Sequence, residues 1–575
     1  MKEKKWGRLK VLFIALVVVA PSIWPLFNSQ FFQMHDYTHV TRLVEMERAI
    51  NEGHFPMRWS RNLGYGYGMP LFNFYGPLIY YVGYVILQFG ITHITTIKLL
   101  FGLNFMVSFL AMFYFARYFW GKWGGLVAAT AFIYVPYRAV DFYVRGALGE
   151  LTGITFIVIS LYCLLMLRVK KSVSWAGYAA LSIAGLMLSH NLMALIGIPA
   201  LIMVAVGLLL VQKSPRKIKW IKIKRTVVAF ALGVGLSSFY WAPALVEKSA
   251  TSVDVLVNEA GHYSLHFAYL RQFINSPWGY NGSVWGVDDE LSFEIGKIHL
   301  VLLILSGFSL YIAWKRGKSL TMVMLVVSGM IIVASILLST QKTILLWQTL
   351  PGLNYLQFPW RFLSLIIVFS SFIAGGFVLM LSSKYKKYER QLAVVVMLVL
   401  IAFNLRFFEP RGYLEDDQLL YYTDPVMIAE KMSGVIPDYV NSNVGFSKTH
   451  PEPPESRYVW ISGDETRNLE AIVDRGHEFA IEVPSDATGT VRVNIFEFPG
   501  WTFFINGEEV GHRVALELPV YEIELPDIGD GGELLVSGRL MDTSVRQGAN
   551  LLSMTSVFIL TGLFVRRRTT RGNKQ

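Results

Sequence analysis

The sequence predicts an all-α protein that crosses a membrane many times and carries a small β domain outside the membrane near its C-terminus. Of its 575 residues, 53% are hydrophobic and only 16% are charged, whereas soluble domains carry about 25% charged residues. Many apolar runs approach or exceed the ~20 residues that a helix needs to span a bilayer. The net charge of +11 is divided unevenly: residues 409–548 hold 26 acidic and 10 basic residues, and the remainder holds 15 acidic and 42 basic residues.

Short basic clusters between the apolar runs indicate how the chain is oriented. Such clusters are typical of cytoplasmic loops, and they lack the continuous basic face that nucleic-acid binding requires. If the apolar run 71–90 does not span the membrane, all of the clusters fall on one side. That run contains Asn73, Gly76 and Pro77, which favours a helix lying beside the membrane. We therefore predict about 12 spans, with both termini in the cytoplasm.

This assignment divides the chain into a membrane part and an external part. Residues 1–407 form the predicted transmembrane domain, with an external loop and juxtamembrane helices at residues 28–96. Its first apolar run contains prolines in place of a small-residue cleavage site, which favours an uncleaved first span. Residues 549–575 form a final transmembrane helix and a basic cytoplasmic tail.

Residues 408–548 are the sizeable external part. Apolar residues alternate with polar ones in residues 479–483 and again in residues 491–495, and Asn506-Gly507 is a strong hairpin signal. These patterns predict a β-sandwich-like domain at about residues 457–545. The single cysteine, Cys163, excludes a disulfide framework within the chain.

The first candidate site residues follow the first apolar run. Asp36 and His39 are three residues apart, His35 lies beside them, and a helical pattern begins near Tyr37. Asp36 is either the N-cap of that helix or a carboxylate at the membrane surface that acts as a general base or metal ligand. The residue types alone leave both interpretations open.

A second group lies between two predicted spans. Asp141, Arg145 and Glu150 are concentrated in one short external segment. Ionisable residues at the ends of spans reach water easily, so the group can be purely structural. Glu150 lies at the start of a predicted span. If its side chain lies near Asp36, the two form a pair of carboxylates flanked by Arg145.

Two further groups lie at the outer ends of spans. Trp360 and Arg361 are ordinary interfacial residues, but an outward arginine at headgroup depth is also a suitable partner for a phosphate. His190 and Asn191 form a polar turn whose histidine could bind a substrate. The sequence contains no Walker-type loop or nucleotide fingerprint, and the short cytoplasmic loops leave no room for nucleotide-sugar or ATP chemistry.

Several stretches carry a resemblance to a known family. They are HDYTHVTRL and EGHFPMRWSRNLGYGYGMPLFNFYGPL in the first loop, then VRGALGE, SHN and LQFPWRFL. With these stretches the chain resembles bacterial membrane proteins labelled 6-pyruvoyl-tetrahydropterin synthase-related, a group similar to the GT-C class of membrane glycosyltransferases. The resemblance covers most of residues 10–410.

The resemblance implies transfer of a sugar from a polyprenyl-phosphate-linked donor to an external acceptor such as a cell-envelope glycan. It implies that Asp36 acts as base or positions the acceptor, that Glu150 is a second essential carboxylate, and that Arg361 contacts the carrier phosphate. The site would lie on the extracytoplasmic face of the plasma membrane, against the lipid bilayer. The remaining candidates for substrate binding are His35, His39, Arg42, Arg145, His190, Asn191 and Trp360.

The resemblance does not decide whether the protein binds a cofactor, and two other functions stay open. The first loop lacks the paired acidic residues of some relatives, so a divalent cation stays open and no other cofactor is indicated. A lipid or polysaccharide transporter is one alternative, although transporters place ionisable residues in the middle of spans. A non-catalytic scaffold whose β domain binds cell-surface polymers is the other.

Overall fold

A computed structural model describes residues 7–170, 172–211, 215–258, 261–287, 289–379, 385–435, 437–444, 451–483, 488–526 and 534–572. The first six residues, and the last three of the predicted basic tail, lie outside the described residues. The fold is mostly helical and has a β domain near the C-terminus, as the sequence predicts.

Within the described ranges, nine helices are long and apolar enough to cross a membrane, and a bent pair would make a tenth. The pair consists of Arg216–Leu236 and Ser238–Val246, which meet at 66°. The nine helices are Arg8–Phe27, His93–Tyr134, Leu148–Val169, Asn191–Leu210, Lys297–Lys315, Ser319–Leu338, Pro359–Leu379, Lys386–Phe407 and Ser544–Val565.

The difference from the predicted number of spans has two local causes. Two predicted runs are merged in His93–Tyr134, a 42-residue helix with a non-helical break at Gly121, where φ is +74°. At 1.5 Å per residue this helix measures about 63 Å, twice the ~30 Å of a bilayer core. Ser174–Ser189 has only 16 residues. The predicted number of spans and the cytoplasmic termini therefore stay predictions.

Short helices connect the long ones and surround their ends. The run 71–90 forms Leu71–Phe74 and Leu78–Leu87, and the second has 10 residues, about half of what a span needs. A π-helical turn, Val140–Val144, precedes Leu148–Val169. The other short α-helices are His39–Asn51, Pro136–Ala139, Val253–Asn258, Ile344–Thr349 and Pro425–Met427.

The C-terminal domain consists of two antiparallel sheets that share one apolar core. Its strands are β1 Tyr458–Ser462, β2 Glu465–Asn468, β3 Ala471–Asp474, β4 Glu478–Val483, β5 Thr490–Phe496, β6 Trp501–Ile505, β7 Glu508–Val510, β8 Arg513–Val514, β9 Val520–Glu524 and β10 Leu534–Leu540. The sheet orders are β2-β1-β5-β9-β8 and β3-β4-β10-β6-β7. Asn506 and Gly507 turn β6 into β7 with φ of +50° and +87°, the left-handed values of a tight hairpin.

The β domain is fixed to the membrane part by buried contacts. Trp59, from the first loop, meets the ring of Trp501 edge-on at 5.8 Å. Arg546 Nη2 donates to Glu247 Oε2 at 3.0 Å, and both side chains are buried. Breaking a buried ion pair of this kind costs about 3–5 kcal/mol, because it leaves an uncompensated charge. The β domain and the bundle therefore hold their loops in one fixed arrangement.

Candidate functional site

A cavity of about 1050 Å³ lies where the first loop meets the ends of several helices. Its wall contains residues from the four stretches that the sequence marked as candidates, together with residues from other loops and helix ends. Nine of the ten candidate residues line it: His35, Asp36, Arg42, Arg145, Glu150, His190, Asn191, Trp360 and Arg361. The tenth, His39, lies behind this wall.

Asp36 is held by hydrogen bonds rather than used as a helix cap. The N-cap of His39–Asn51 is Thr38, and no side chain caps the helix. Arg42 Nη1 donates to both carboxylate oxygens of Asp36, at 2.8 and 2.9 Å, and the hydroxyls of Thr38 and Tyr75 donate at 2.9 and 3.1 Å. The carboxylate is nevertheless 28% exposed, into the cavity.

The charge of Arg42 determines the protonation state of Asp36. Burial alone would raise the pKa of this carboxyl, but the attraction of Arg42 and its hydrogen bonds outweigh burial, and the pKa lies well below its usual range. The Arg42 guanidinium also lies over the Tyr75 ring at 4.0 Å. Asp36 is therefore a permanently ionised, well-oriented hydrogen-bond acceptor and a weak base.

His39 supports this group from behind. Its side chain is fully buried; Nε2 donates to the Gly146 carbonyl at 2.5 Å, and Nδ1 accepts from the Tyr80 hydroxyl at 2.6 Å. Burial lowers the pKa of His39, so the ring is neutral. Gly146 approaches closely with φ of +64°, and a Cβ there would lie 2.2 Å from Met34 Sδ. His39 thus joins two loops and does not face a ligand.

The two segments that carry the predicted carboxylates are paired through their backbones. His35 N donates to Val144 O and Asp36 N donates to Arg145 O, each at 2.9 Å. His35 itself donates through Nε2 to the Tyr280 carbonyl at 2.7 Å. The pairing places Asp36 beside the segment that leads to Glu150.

Glu150 is enclosed by donors and has no exposed surface. Its Oε1 accepts from the hydroxyls of Tyr137 and Ser364, each at 3.0 Å, and its Oε2 accepts from Arg145 Nη1 at 2.9 Å. Arg145 also pairs with the buried Asp141. Glu150 therefore orients cations at the cavity wall instead of offering a free carboxylate.

Arg361 brings another arginine to the cavity wall. Its Nη1 donates to the Leu356 carbonyl at 2.5 Å, and its buried Nε lies 3.6 Å from Glu150 Oε2, beyond hydrogen-bond distance. Glu150 therefore holds the guanidinium by charge, and an anionic ligand in the cavity would meet a fixed cation.

His190 and Trp360 lie beside these arginines in the cavity wall. His190 lies between two helices, where its Nδ1 accepts from Met193 N at 3.3 Å. Burial, and then Arg361, lower the pKa of His190 to about 3, so the ring is neutral. Trp360 donates to Ser283 Oγ at 3.1 Å, and the Arg145 guanidinium lies over its ring at 4.7 Å.

Asn191 is held at both ends of its amide: Nδ2 donates to the Phe74 carbonyl at 3.5 Å, and Oδ1 accepts from Leu192 N at 3.1 Å. The longer of the two is at the limit of normal hydrogen-bond geometry, so Nδ2 is the more weakly held end. Asn191 and His190 thus place two neutral polar groups beside Arg361 on the cavity wall.

Sequence reasoning missed several residues of this cavity. Tyr75 lies in the run that the sequence indicated only as an interfacial helix. Lys248 donates to Asp254 Oδ1 at 3.1 Å and to the hydroxyl of Tyr355. Asp438 and its neighbour Tyr439 come from the stretch before the β domain. Tyr75 lies within one of the stretches quoted for the resemblance but was not singled out there, and no motif indicated Lys248, Asp438 or Tyr439.

The described residues do not favour a bound metal. Within the described ranges, no group of three or more histidine, cysteine, aspartate or glutamate side chains is placed to hold a metal ion. The oxygens of Asp36 already accept hydrogen bonds from Arg42. This donor set does not fit a divalent cation, so we derive no step through one.

A family model described as "6-pyruvoyl-tetrahydropterin synthase related domain; membrane protein" matches residues 72–408. A comparison with curated proteins finds no match. The family description and the apolar helices together identify a multi-pass membrane protein.

The chain is similar in structure to an oligosaccharyltransferase, an arabinofuranosyltransferase and ArnT. The apo oligosaccharyltransferase of Archaeoglobus fulgidus has a TM-score of 0.49 at 16% identity, covering 79% of this chain and 62% of that one. The arabinofuranosyltransferase AftD from Mycobacteria has 0.42 at 15%, covering 71% and 28%. ArnT from Cupriavidus metallidurans, bound to undecaprenyl phosphate, has 0.41 at 14%, covering 74% and 70%. The chain thus spans less than two thirds of the length of the first two.

Proposed function

This chain belongs to the family of 6-pyruvoyl-tetrahydropterin synthase related membrane proteins, and we propose that it is a glycosyltransferase. It moves a sugar from a polyprenyl-phosphate-linked donor to an acceptor, such as a cell-envelope glycan, on the extracytoplasmic side of the plasma membrane. The observation that carries the proposal is the composition of the cavity wall. Ionised carboxylate, oriented arginines and an apolar surface meet in one space that is large enough for a sugar and its carrier.

The apolar part of the wall suits the polyprenyl chain. It comes from the first turns of Asn191–Leu210 and from Ser238–Val246, the short half of the bent helix pair. Leu195 and Leu245 are exposed there. Burial of apolar surface yields about 25 cal/mol per Å², so an isoprenoid tail gains affinity along this wall.

The cationic part of the wall suits the carrier phosphate. Arg361 lines the cavity, and Arg145 lies beside it through their shared contact with Glu150. Arginine binds phosphate with charge-assisted hydrogen bonds, which are roughly twice as strong as neutral ones. When the sugar leaves, the phosphate gains negative charge, and fixed cations at this point stabilise that charge in the transition state.

The Asp36 side of the cavity suits the acceptor. Asp36 is exposed to the cavity yet held by Arg42 and Tyr75, so it accepts a hydrogen bond from an acceptor group in a fixed direction. Its depressed pKa favours positioning of the acceptor over proton abstraction. Glu150 acts through Arg145 and Arg361 and is a positioning residue.

A deletion strain tests the proposal in cells. Lipid-linked sugars and surface glycans are compared by mass spectrometry after complementation with the wild type, Asp36→Asn or Asp464→Asn. Asp464 is exposed in the turn between β1 and β2 and is a matched control. We expect the wild type and the control to restore the glycan, and Asp36→Asn to leave a lipid-linked sugar accumulated. Full restoration by Asp36→Asn would refute the assignment of Asp36, and unchanged glycans in the deletion strain would refute the function.

A further inference from the structure

The segment 437–441 brings a carboxylate to the cavity from outside the helical bundle. Ser252 N donates to the Val440 carbonyl at 3.0 Å, and Asn441 forms an isolated bridge with Thr251. Asn441 Nδ2 also donates to the Glu497 carbonyl in the β domain at 3.0 Å. The segment is therefore held from both sides, by the bundle and by the β domain.

Tyr439 is packed in the cavity wall and holds its neighbour Asp438 there. Its ring stacks on Phe74 at 5.6 Å, with the planes 10° apart. The Phe74 carbonyl in turn accepts from the Tyr240 hydroxyl at 2.7 Å. Asp438 and Tyr439 both line the cavity, so the stacked ring determines where the Asp438 carboxylate lies.

The Asp438 carboxylate differs from the other acidic groups of the cavity. No hydrogen bond from a described residue reaches it, although the side chain is half-buried. Asp36 and Glu150, in contrast, each accept several hydrogen bonds. The Asp438 carboxylate lines the cavity and is therefore available to a hydrogen-bond donor on a bound substrate.

We propose that Asp438 is the base that takes the proton from the acceptor during sugar transfer. This inference rests on the proposed function. The acceptor oxygen forms a bond to the anomeric carbon of the sugar, and the bond from that carbon to the phosphate oxygen breaks. The electron pair leaves with the polyprenyl phosphate beside Arg361, and the acceptor proton moves to the Asp438 carboxylate. No further reactant is needed.

The electrostatic surroundings agree with this role. Burial is the main reason that the pKa of Asp438 is raised to about 6; Arg42 opposes the rise and Asp36 adds to it. A general base works best when its pKa lies near the working pH, because it is then both ionised and basic. Arg42 and Asp36 line the same cavity and are the charged groups that act on Asp438, and Tyr439 is its titratable neighbour on the same segment. Asp36, with its depressed pKa, is the weaker base of the two.

Membranes of a deletion strain provide a test that works for whichever sugar the carrier holds. They contain the accumulated lipid-linked sugar and the acceptor, and purified full-length protein is added to them. Consumption of the lipid-linked sugar is followed by mass spectrometry from pH 5 to pH 8. The variants are Asp438→Asn, Asp438→Glu and the exposed control Asp464→Asn.

The wild-type rate should rise through about pH 6 and then level off, because Asp438 must be ionised to accept the proton. Asp438→Asn should lose at least about 100-fold at pH 7.5, together with the acidic limb of the profile. Asp438→Glu should recover part of the rate and keep an acidic limb, whereas a merely structural role would not produce this rescue. Affinity for undecaprenyl phosphate should be unchanged in both variants.

Two results would overturn the inference. One is an Asp438→Asn variant that keeps more than a tenth of the wild-type rate. The other is a residual activity in Asp438→Asn that still falls below pH 6, because another group would then titrate. If the wild type itself consumes no lipid-linked sugar, the proposed function fails and this inference fails with it. If the wild type consumes the lipid-linked sugar and the Asp438 variants do so at the same rate, this inference fails and the proposed function stands.

Discussion

Two groups in the cavity wall both combine carboxylates with arginines, but they differ in how far their carboxylates are exposed to the cavity. The Asp36 group consists of Asp36, Arg42 and Tyr75, and its carboxylate is 28% exposed. The Glu150 group consists of Asp141, Arg145, Glu150 and Arg361, and both of its carboxylates are fully buried. The first group can meet a substrate through its carboxylate, and the second only through its cations. We therefore propose that the Asp36 group meets the acceptor and that the Glu150 group meets the phosphate of the donor.

The largest effect is expected from removing the cation of the Glu150 group. Arg145→Met leaves Asp141 and Glu150 buried without their shared partner, which should cost about 3–5 kcal/mol. The measurement is the temperature at which detergent-solubilised protein loses its monodisperse peak. Arg61→Met is the control, because Arg61 pairs with the more exposed Asp474 and an exposed pair is worth about 0–1 kcal/mol. Equal shifts in the two variants would contradict the contrast in burial.

A smaller but more specific effect is expected in the Asp36 group. Asp36→Asn keeps the size of the side chain and removes its charge, so the acceptor loses its fixed partner while the fold persists. Consumption of lipid-linked sugar should fall by roughly 100-fold or more, with a smaller thermal shift than that of Arg145→Met. A variant that unfolds but keeps its specific activity would reverse the assignment of the two groups.

Tyr75→Phe should produce a still smaller effect. It removes one hydroxyl that donates to Asp36 at 3.1 Å and leaves the ring under Arg42 in place. A hydrogen bond to a charged group is worth about 1.5–3 kcal/mol, and the remaining donors compensate in part, so the rate should fall roughly tenfold. Tyr84→Phe, whose hydroxyl bonds to Asn51 away from the cavity, should leave the rate unchanged.

The smallest expected effect is a change with pH in how much Asp36 stabilises the folded protein. The folded-state pKa of Asp36 is depressed, so its stabilising contribution is complete above the unfolded-state value of about 3.9. It is lost as the pH falls from that value toward the lower folded pKa. The difference in thermal midpoint between the wild type and Asp36→Asn should therefore be constant from pH 8 to pH 5 and shrink below about pH 4. A difference that grows on acidification would contradict this sign.

The sequence predicts the meeting of Asp36, Glu150 and Arg361, for a physical reason. Charged residues are tolerated at the ends of membrane helices, so such residues on one side of a bundle converge. The family resemblance predicted from the same stretches is confirmed by the match over residues 72–408. The sequence did not indicate which of the two carboxylates is exposed to the cavity, because Asp36 and Glu150 are both acidic residues in predicted external segments.

The remaining features depend on tertiary packing. His39 was a candidate for substrate binding, but both faces of its helix are buried, and the periodicity did not indicate which face meets the cavity. Two of the predicted spans form one helix, His93–Tyr134, which is broken at Gly121. Asp438 reaches the cavity because the β domain holds its segment, a contact between distant parts of the chain that no local pattern encodes.

The most direct measurement is an experimental structure of the full-length protein in nanodiscs with undecaprenyl phosphate, determined by electron cryomicroscopy. The account predicts phosphate density within hydrogen-bonding distance of Arg361 and beside His190, with the isoprenoid tail along Asn191–Leu210. The Arg361→Gln variant should lose this density, and Arg316→Gln, changed at an exposed position, should keep it. Lipid phosphate bound elsewhere on the protein, with the cavity free of lipid in the wild type, would contradict the account.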